Sequence, residues 1–142
     1  MTEPKSGDAL VVEGLTRVFN KHLVAVDHVN FKVKEGEIFG FLGPNGAGKT
    51  TTINMLITIL KPTEGRASVL GFDIAKQDYD VRNVIGVVPQ EYTADEDLTG
   101  WENVLLCSDL YGIPRNVGKE RATDLLKLVE LTDFKDKRVE TY

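Results

Sequence analysis

An α/β fold, in which a phosphate-binding loop joins an apolar strand to a helix and an antiparallel β layer lies beside a parallel core, is predicted by three observations. The stretch Gly43-Pro44-Asn45-Gly46-Ala47-Gly48-Lys49-Thr50 fits the pattern G-x-x-x-x-G-K-[ST]. The apolar run Ile38-Phe39-Gly40-Phe41-Leu42 precedes it, and Ile53, Leu56, Ile57 and Leu60 follow at i, i+3, i+4 and i+7, one face of a helix. Finally, Val29 to Lys34 alternates apolar and polar as a half-buried strand does, whereas 38–42 and 84–88 are apolar, as strands buried on both faces are.

In chain order, Leu10-Val11-Val12 and Val29 to Lys34 read as the first strands. Lys34-Glu35-Gly36-Glu37 reads as a turn into the apolar strand that ends at the phosphate loop. Pro62 and Gly65 stop the helix after the loop. Ala67 to Phe72 reads as a further strand, Tyr79 to Asn83 as a short helix, and Val84-Ile85-Gly86-Val87-Val88 as a buried strand ending at Pro89-Gln90. Beyond it the character changes. Leu98 to Tyr111 and Val117 to Leu131 both read as helices, the second with Ala122, Leu125, Leu126 and Val129 on one face. A boundary follows: residues 1–91 form a nucleotide-binding core and 92–142 begin a helical part.

The loop's composition has a physical reason. A triphosphate needs convergent donors rather than bulky side chains. Gly43, Gly46 and Gly48 let backbone N–H groups approach its oxygens, with Asn45 and Ala47 completing the turn. The following helix contributes unpaired N–H groups and the positive end of its dipole. Lys49 brings a full charge to the outer phosphates, the Thr50 hydroxyl is the expected Mg2+ ligand, and Thr51 offers a second hydroxyl.

Composition bounds the rest. At 142 residues the chain has the size of one ordinary domain. Its net charge of -5 argues against a nucleic-acid partner held by bulk electrostatics. Cys107 is the only cysteine, so no internal disulfide or cysteine zinc cage can form, and a small buried side chain in a reducing, cytoplasmic setting is expected. No apolar run reaches the roughly 20 residues that span a bilayer. His22 and His28 lack clustered ligand partners, Asp95-Glu96-Asp97 reads as a solvated turn, and Trp101 is expected to pack under its helix.

Glu37 to Thr51, with its Gly-Pro-Asn-Gly-Ala-Gly-Lys-Thr-Thr wording, resembles the Walker A region of an ATP-binding cassette (ABC) transporter ATPase. The likeness continues: Gly86-Val87-Val88-Pro89-Gln90 resembles the family's Q-loop, and Leu98-Thr99-Gly100-Trp101-Glu102-Asn103 resembles the start of its helical subdomain. Leu110-Tyr111-Gly112 and Leu128-Val129-Glu130-Leu131 match as well, with the drug- and lipid-export branch most similar. The resemblance implies ATP and Mg2+ as cofactors, a transmembrane permease as partner, and a place on the inner face of the cell membrane through that partner. It implies Phe19 as the adenine-stacking aromatic, where the family's usual residue is tyrosine, and Gln90 as the sensor of the γ-phosphate that touches magnesium and the attacking water.

After Val139-Glu140-Thr141-Tyr142 the family proceeds into a Ser-Gly-Gly signature, an Asp-Glu strand and a switch histidine, none of which stands in this sequence. In the family's sheet, strands encoded beyond the signature lie between the phosphate-loop strand and the Gln90 strand. The resemblance thus implies an incomplete core sheet with exposed edges, and the expectation is a rearranged sheet or a second copy recruited by swapping. Two readings stay open beside ATP-driven export: a nucleotide-binding or self-associating module without turnover, and a soluble non-transport ABC protein. A GTPase is disfavoured because no Asn-Lys-x-Asp word follows the loop.

Overall fold

Two long strands carry the first half of the chain, β1 (Asp8–Phe19) and β2 (Leu23–Lys34), paired antiparallel. The computed structural model describes residues 7–20, 22–91 and 93–142. The N-terminal residues 1–6, Lys21, and Tyr92, at which the sequence reading begins the helical part, lie outside the described residues. Two compact units divide the chain, Met1–Val88 and Pro89–Tyr142.

In the first unit a four-stranded antiparallel sheet has the order β2-β1-β3-β4, with β3 spanning Glu64–Val69 and β4 Phe72–Asp73. Both long strands exceed the runs that alternation marks, because each contains a bulge that shifts its period. Val12 pairs with Phe31 and Leu15 with Val29, so β1 advances three residues where β2 advances two, and Gly14 takes φ 58° at that step. The β2 backbone replies at His28, φ 44°, where Leu15–Val29 gives way to Arg17–Val26. Side chains tie the bulges together: the His28 N–H donates to Thr16 Oγ1 (3.0 Å) and the Gly14 N–H to Asn30 Oδ1 (2.7 Å). The added residue keeps Val12 and Leu15, three apart, both in the core.

Helix α1 (Lys49–Leu56) packs Met55 and Leu56 against Val12, Leu15, Val26 and Ala67. Its end comes before Pro62. The Thr58 N–H donates to Met55 O and the Ile59 N–H to Asn54 O, while Thr58 turns left-handed at φ 66°, the Schellman arrangement with threonine in glycine's place. Ile53 therefore lies exposed and Thr52, beside the expected stripe, is buried. Helix α2 (Asp78–Val84) adds Val81 to the same core.

Sequence and structure differ in two places here. The run Ala67 to Phe72 is not one strand but a hairpin: Val69 pairs with Phe72, and Leu70 and Gly71 form a two-residue turn with both φ positive, at 48° and 86°. An apolar leucine at the first turn position hides the signal that Asn-Gly would give. The second concerns the parallel core, which stands incomplete, as the gap between its two strands led one to expect. Segments 38–42 and 85–88 join no strand ladder among the described residues, and Val84, expected to start the second of them, is instead the last residue of α2. Ile38 is 100%, Leu42 97% and Val88 98% exposed. A strand buried on both faces exists only when neighbours supply its hydrogen bonds, and no described strand lies beside these segments. Only one side of 38–42 is covered: the Phe39 ring stacks on Phe31 of β2 at 5.1 Å, and Phe41 meets both rings edge-on at 5.3 Å.

The second unit pairs α3 (Gly100–Leu110) with α4 (Arg115–Leu128). Gly118, Ala122 and Leu126 form the buried stripe of α4, with Leu125 and Val129 more than half exposed. At Gly118 a side chain would strike Ser108 Oγ, so the helices approach through small residues. Cys107 is exposed, contrary to the buried position expected, because the cleft it lines with Ser108, Gly118 and Ala122 is open to solvent. Trp101 is half-buried with the Lys135 ammonium 5.6 Å from its ring centre. The start of α3 is fixed twice. Thr99 and Glu102 form a capping box: the Thr99 N–H and hydroxyl both donate to Glu102 Oε2 at 2.8 Å, and the Glu102 N–H donates to Thr99 Oγ1. Residues 135–140 then brace it, through Gly100 N–H to Lys137 O, Trp101 N–H to Lys135 O and Val139 N–H to Leu98 O.

Two predictions follow from these turns and caps. Leu70→Asn is expected to stabilise the first unit by about 0.5–1 kcal/mol in chemical denaturation, because asparagine tolerates the left-handed position and Leu70 is already 45% exposed. Donation from the Thr99 backbone and then its hydroxyl holds the Glu102 carboxyl below its ordinary 4.5. A depressed folded-state pKa gives stability that is present above the unfolded value and is lost as pH falls through the folded one. Acidification below pH 4.5 should therefore lower the melting temperature of the wild-type helical unit more steeply than that of Glu102→Gln. Parallel curves in circular dichroism would refute that link.

Candidate functional site

The loop between Leu42 and α1 rests on β2. Phe39 and Phe41 anchor its approach on Phe31, and Gly48 seats its far end against Ala25 and Val26. At Gly48, φ is 83°, and a Cβ would lie 2.3 Å from Ala25 O, so both conformation and space require glycine. Gly43 and Gly46 also stand at positive φ, giving the loop its reversals.

Gly48 is at once the N-cap of α1, and no side chain caps the helix there. The first N–H groups of any helix lack intrahelical partners, so this end presents donors together with the positive end of the dipole. Gly48 O accepts from both the Thr52 N–H (2.8 Å) and the Thr52 hydroxyl (2.9 Å), which locks loop to helix. Lys49 folds back over the loop, its Nζ donating to Gly43 O and Pro44 O, each at 2.7 Å. An ammonium held only by two neutral carbonyls can exchange them for phosphate oxygens, a stronger charge-assisted bond. Asn45, Ala47 and Thr50 are exposed and Thr51 is half-buried. The arrangement suits an anion that enters from solvent and replaces the lysine's carbonyl contacts.

Phe19 ends β1 opposite Leu23, two residues before Ala25, at the end of the hairpin on which Gly48 rests. Its ring is half-buried, with the Arg17 guanidinium 4.7 Å from its centre. Gln90 is exposed and is the second residue of the second unit. Phe19 and Gly43 to Thr51 thus belong to one unit and Gln90 to the other.

Sequence reading passed over two residues. Thr52 stands four after Gly48, the spacing at which a threonine hydroxyl bonds back to a helix carbonyl, and this could have been read. Arg17 stands two before Phe19 and shares its face of the strand, but its contact depends on side-chain conformation. Among the described residues no helix is long and apolar enough to cross a membrane, and no three His, Cys, Asp or Glu side chains are placed to hold a metal.

The family model described as ABC transporter matches residues 26–142. The doxorubicin resistance ATP-binding protein DrrA of Mycobacterium tuberculosis is 39% identical over 94% of this chain and 41% of its own length. The daunorubicin/doxorubicin resistance ATP-binding protein DrrA of Streptomyces peucetius is 41% identical over 94% of the chain and 40% of its own. Among solved structures, an ATP binding subunit of an ABC transporter aligns with a TM-score of 0.79 at 27% identity, over 94% of this chain and 55% of that one. CbiO1 of Clostridium perfringens, part of the transporter complex cbiONQ, gives 0.78 at 25% over 95% and 55%. The chain spans about two fifths of the length of these curated relatives. With the family model covering all but its first 25 residues, and ATP-binding proteins of that family 39–41% identical along it, the chain belongs to the ABC transporter family, in its ATP-binding domain.

Proposed function

We propose that this chain is part of the ATP-binding subunit of a drug-exporting ABC transporter, in which the loop from Gly43 to Thr51 grips the triphosphate of ATP. The observation that carries this reading is the seat of Gly48 on Ala25, which brings the uncapped start of α1 and the folded-back Lys49 to one exposed concave loop. Drug-resistance names among the relatives support the export branch.

Each residue has a role in this reading. Lys49 leaves the Gly43 and Pro44 carbonyls for the outer phosphates, and backbone N–H groups of Gly46 to Thr51 surround the inner ones. Phe19 lends a flat face to the adenine. Thr50 presents its hydroxyl to the cation, and Gln90 takes the role that the family resemblance gives it, touching the cation and sensing the γ-phosphate. Magnesium, when bound, supplies charge neutralisation across the β- and γ-phosphates. Hydrolysis would belong to the whole protein, which drives export through a transmembrane permease from the cytoplasmic face.

The unpaired segments 38–42 and 85–88 support one further part of the reading. Strands from elsewhere, whether the rest of a longer protein or a second copy exchanged by swapping, complete the core sheet.

Calorimetric titration tests the central role. Mg-ATP is expected to bind the wild-type chain, with affinity falling at least about tenfold in Lys49→Ala, as loss of a charge-assisted contact worth about 1.5–3 kcal/mol implies. Equal binding by both proteins would sink the assignment. For the sheet, light scattering should give a mass above one chain; a monomer that melts cooperatively counts against exchange.

A further inference from the structure

The contact between Arg17 and Phe19 has no part in the reading above. Arg17 sits two residues before Phe19 on β1, and its guanidinium carbon lies 4.7 Å from the centre of the Phe19 ring. That position is held from the other side: Arg17 NH1 donates to Lys61 O at 2.6 Å, and Arg17 Nε is buried without a hydrogen-bond partner among the described residues. A buried guanidinium N–H left unpaired is costly, so the group's place is set by the ring and the carbonyl together. Lys61 belongs to the segment returning from α1, stitched to the same strand by Val18 N–H to Thr63 Oγ1 (3.0 Å) and Thr63 N–H to Thr16 O (2.9 Å).

We propose that Arg17 is a positioning residue that fixes the Phe19 ring as a platform for the nucleobase and ties that platform to the helix carrying the phosphate loop. A planar ring has two faces. With the guanidinium on one, a base can stack only on the other, and the ring cannot turn without losing the cation–π contact. The covalent path from Lys49 through α1 to Lys61, closed by the Arg17 bond, then sets the spacing between phosphate grip and base platform. This inference rests on the reading of Phe19 as the base-stacking aromatic.

The test uses two probes on the full chain, Mg-ATP and base-free Mg-tripolyphosphate, titrated by calorimetry. Arg17→Met is expected to weaken ATP about fivefold, the scale of a partly desolvated cation–π contact, while tripolyphosphate changes by less than about twofold. Arg17→Lys, which keeps a cation and a donor, should recover most of the loss. Phe19→Ala should lower ATP selectively, and adding Arg17→Met to it should cost little more, since the two act as one unit. Parallel loss of both probes in Arg17→Met would mean that the residue merely holds β1 together, and unchanged ATP affinity would mean that it holds nothing relevant; either overturns the proposal. If Phe19→Ala leaves the ratio of the two affinities unaltered, the platform reading itself fails, and Arg17 with it.

Discussion

The close approach of Gly48 to the carbonyl of Ala25 is the contact on which the rest of the first unit depends. It sets the start of α1 directly on β2, and α1 then fills the core with Met55 and Leu56. The opposing bulges at Gly14 and His28 matter for the same reason. Without them two strands of twelve residues would rotate their apolar sides out of register with the helix above them. A side chain at position 48 would push the loop away from its support, and the lysine, the helix end and the sheet would no longer share one frame.

That frame explains how a loop made almost wholly of glycine and exposed polar residues keeps its form. Its own side chains supply little burial. Order comes from outside it, through the Phe31–Phe39–Phe41 cluster before the loop and the double bond of Thr52 to Gly48 O after it. The loop interior is then free to present backbone donors and an ammonium that is only provisionally occupied. Such a division, rigid flanks around a polar interior, lets an anion bind without a large ordering cost.

The helical unit is organised on another principle. Its buried stripe is narrow, and small residues set the approach of α3 and α4, so much of its definition comes from hydrogen bonds at the start of α3. The capping box and the strand-like brace from residues 135–140 both converge on Thr99 and Gly100. The apolar surface left at Leu125 and Leu128 of α4 and at Val129 just beyond it lies outside the buried stripe of Gly118, Ala122 and Leu126.

The glycine-rich loop, the helix after it, the antiparallel pairing of the first strands and the two helices of the second unit were legible in the sequence, because each rests on local chemistry: glycine conformations, apolar periodicity, capping residues. So was the family, since its wording is local too. The tertiary structure alone decided the rest. Bulges at Gly14 and His28 extend strands whose alternation looks broken, and the Leu70-Gly71 turn hides behind an apolar residue. The carbonyl that holds Arg17 beside Phe19, that of Lys61, stands 44 residues away. Most plainly, Ile38 to Leu42 and Ile85 to Val88 have the composition of buried strands yet stay unpaired, and Val84 ends a helix. Hydrophobicity is a property of a residue, but burial and a strand's hydrogen bonds are supplied by neighbours, and no sequence segment carries its neighbours within itself.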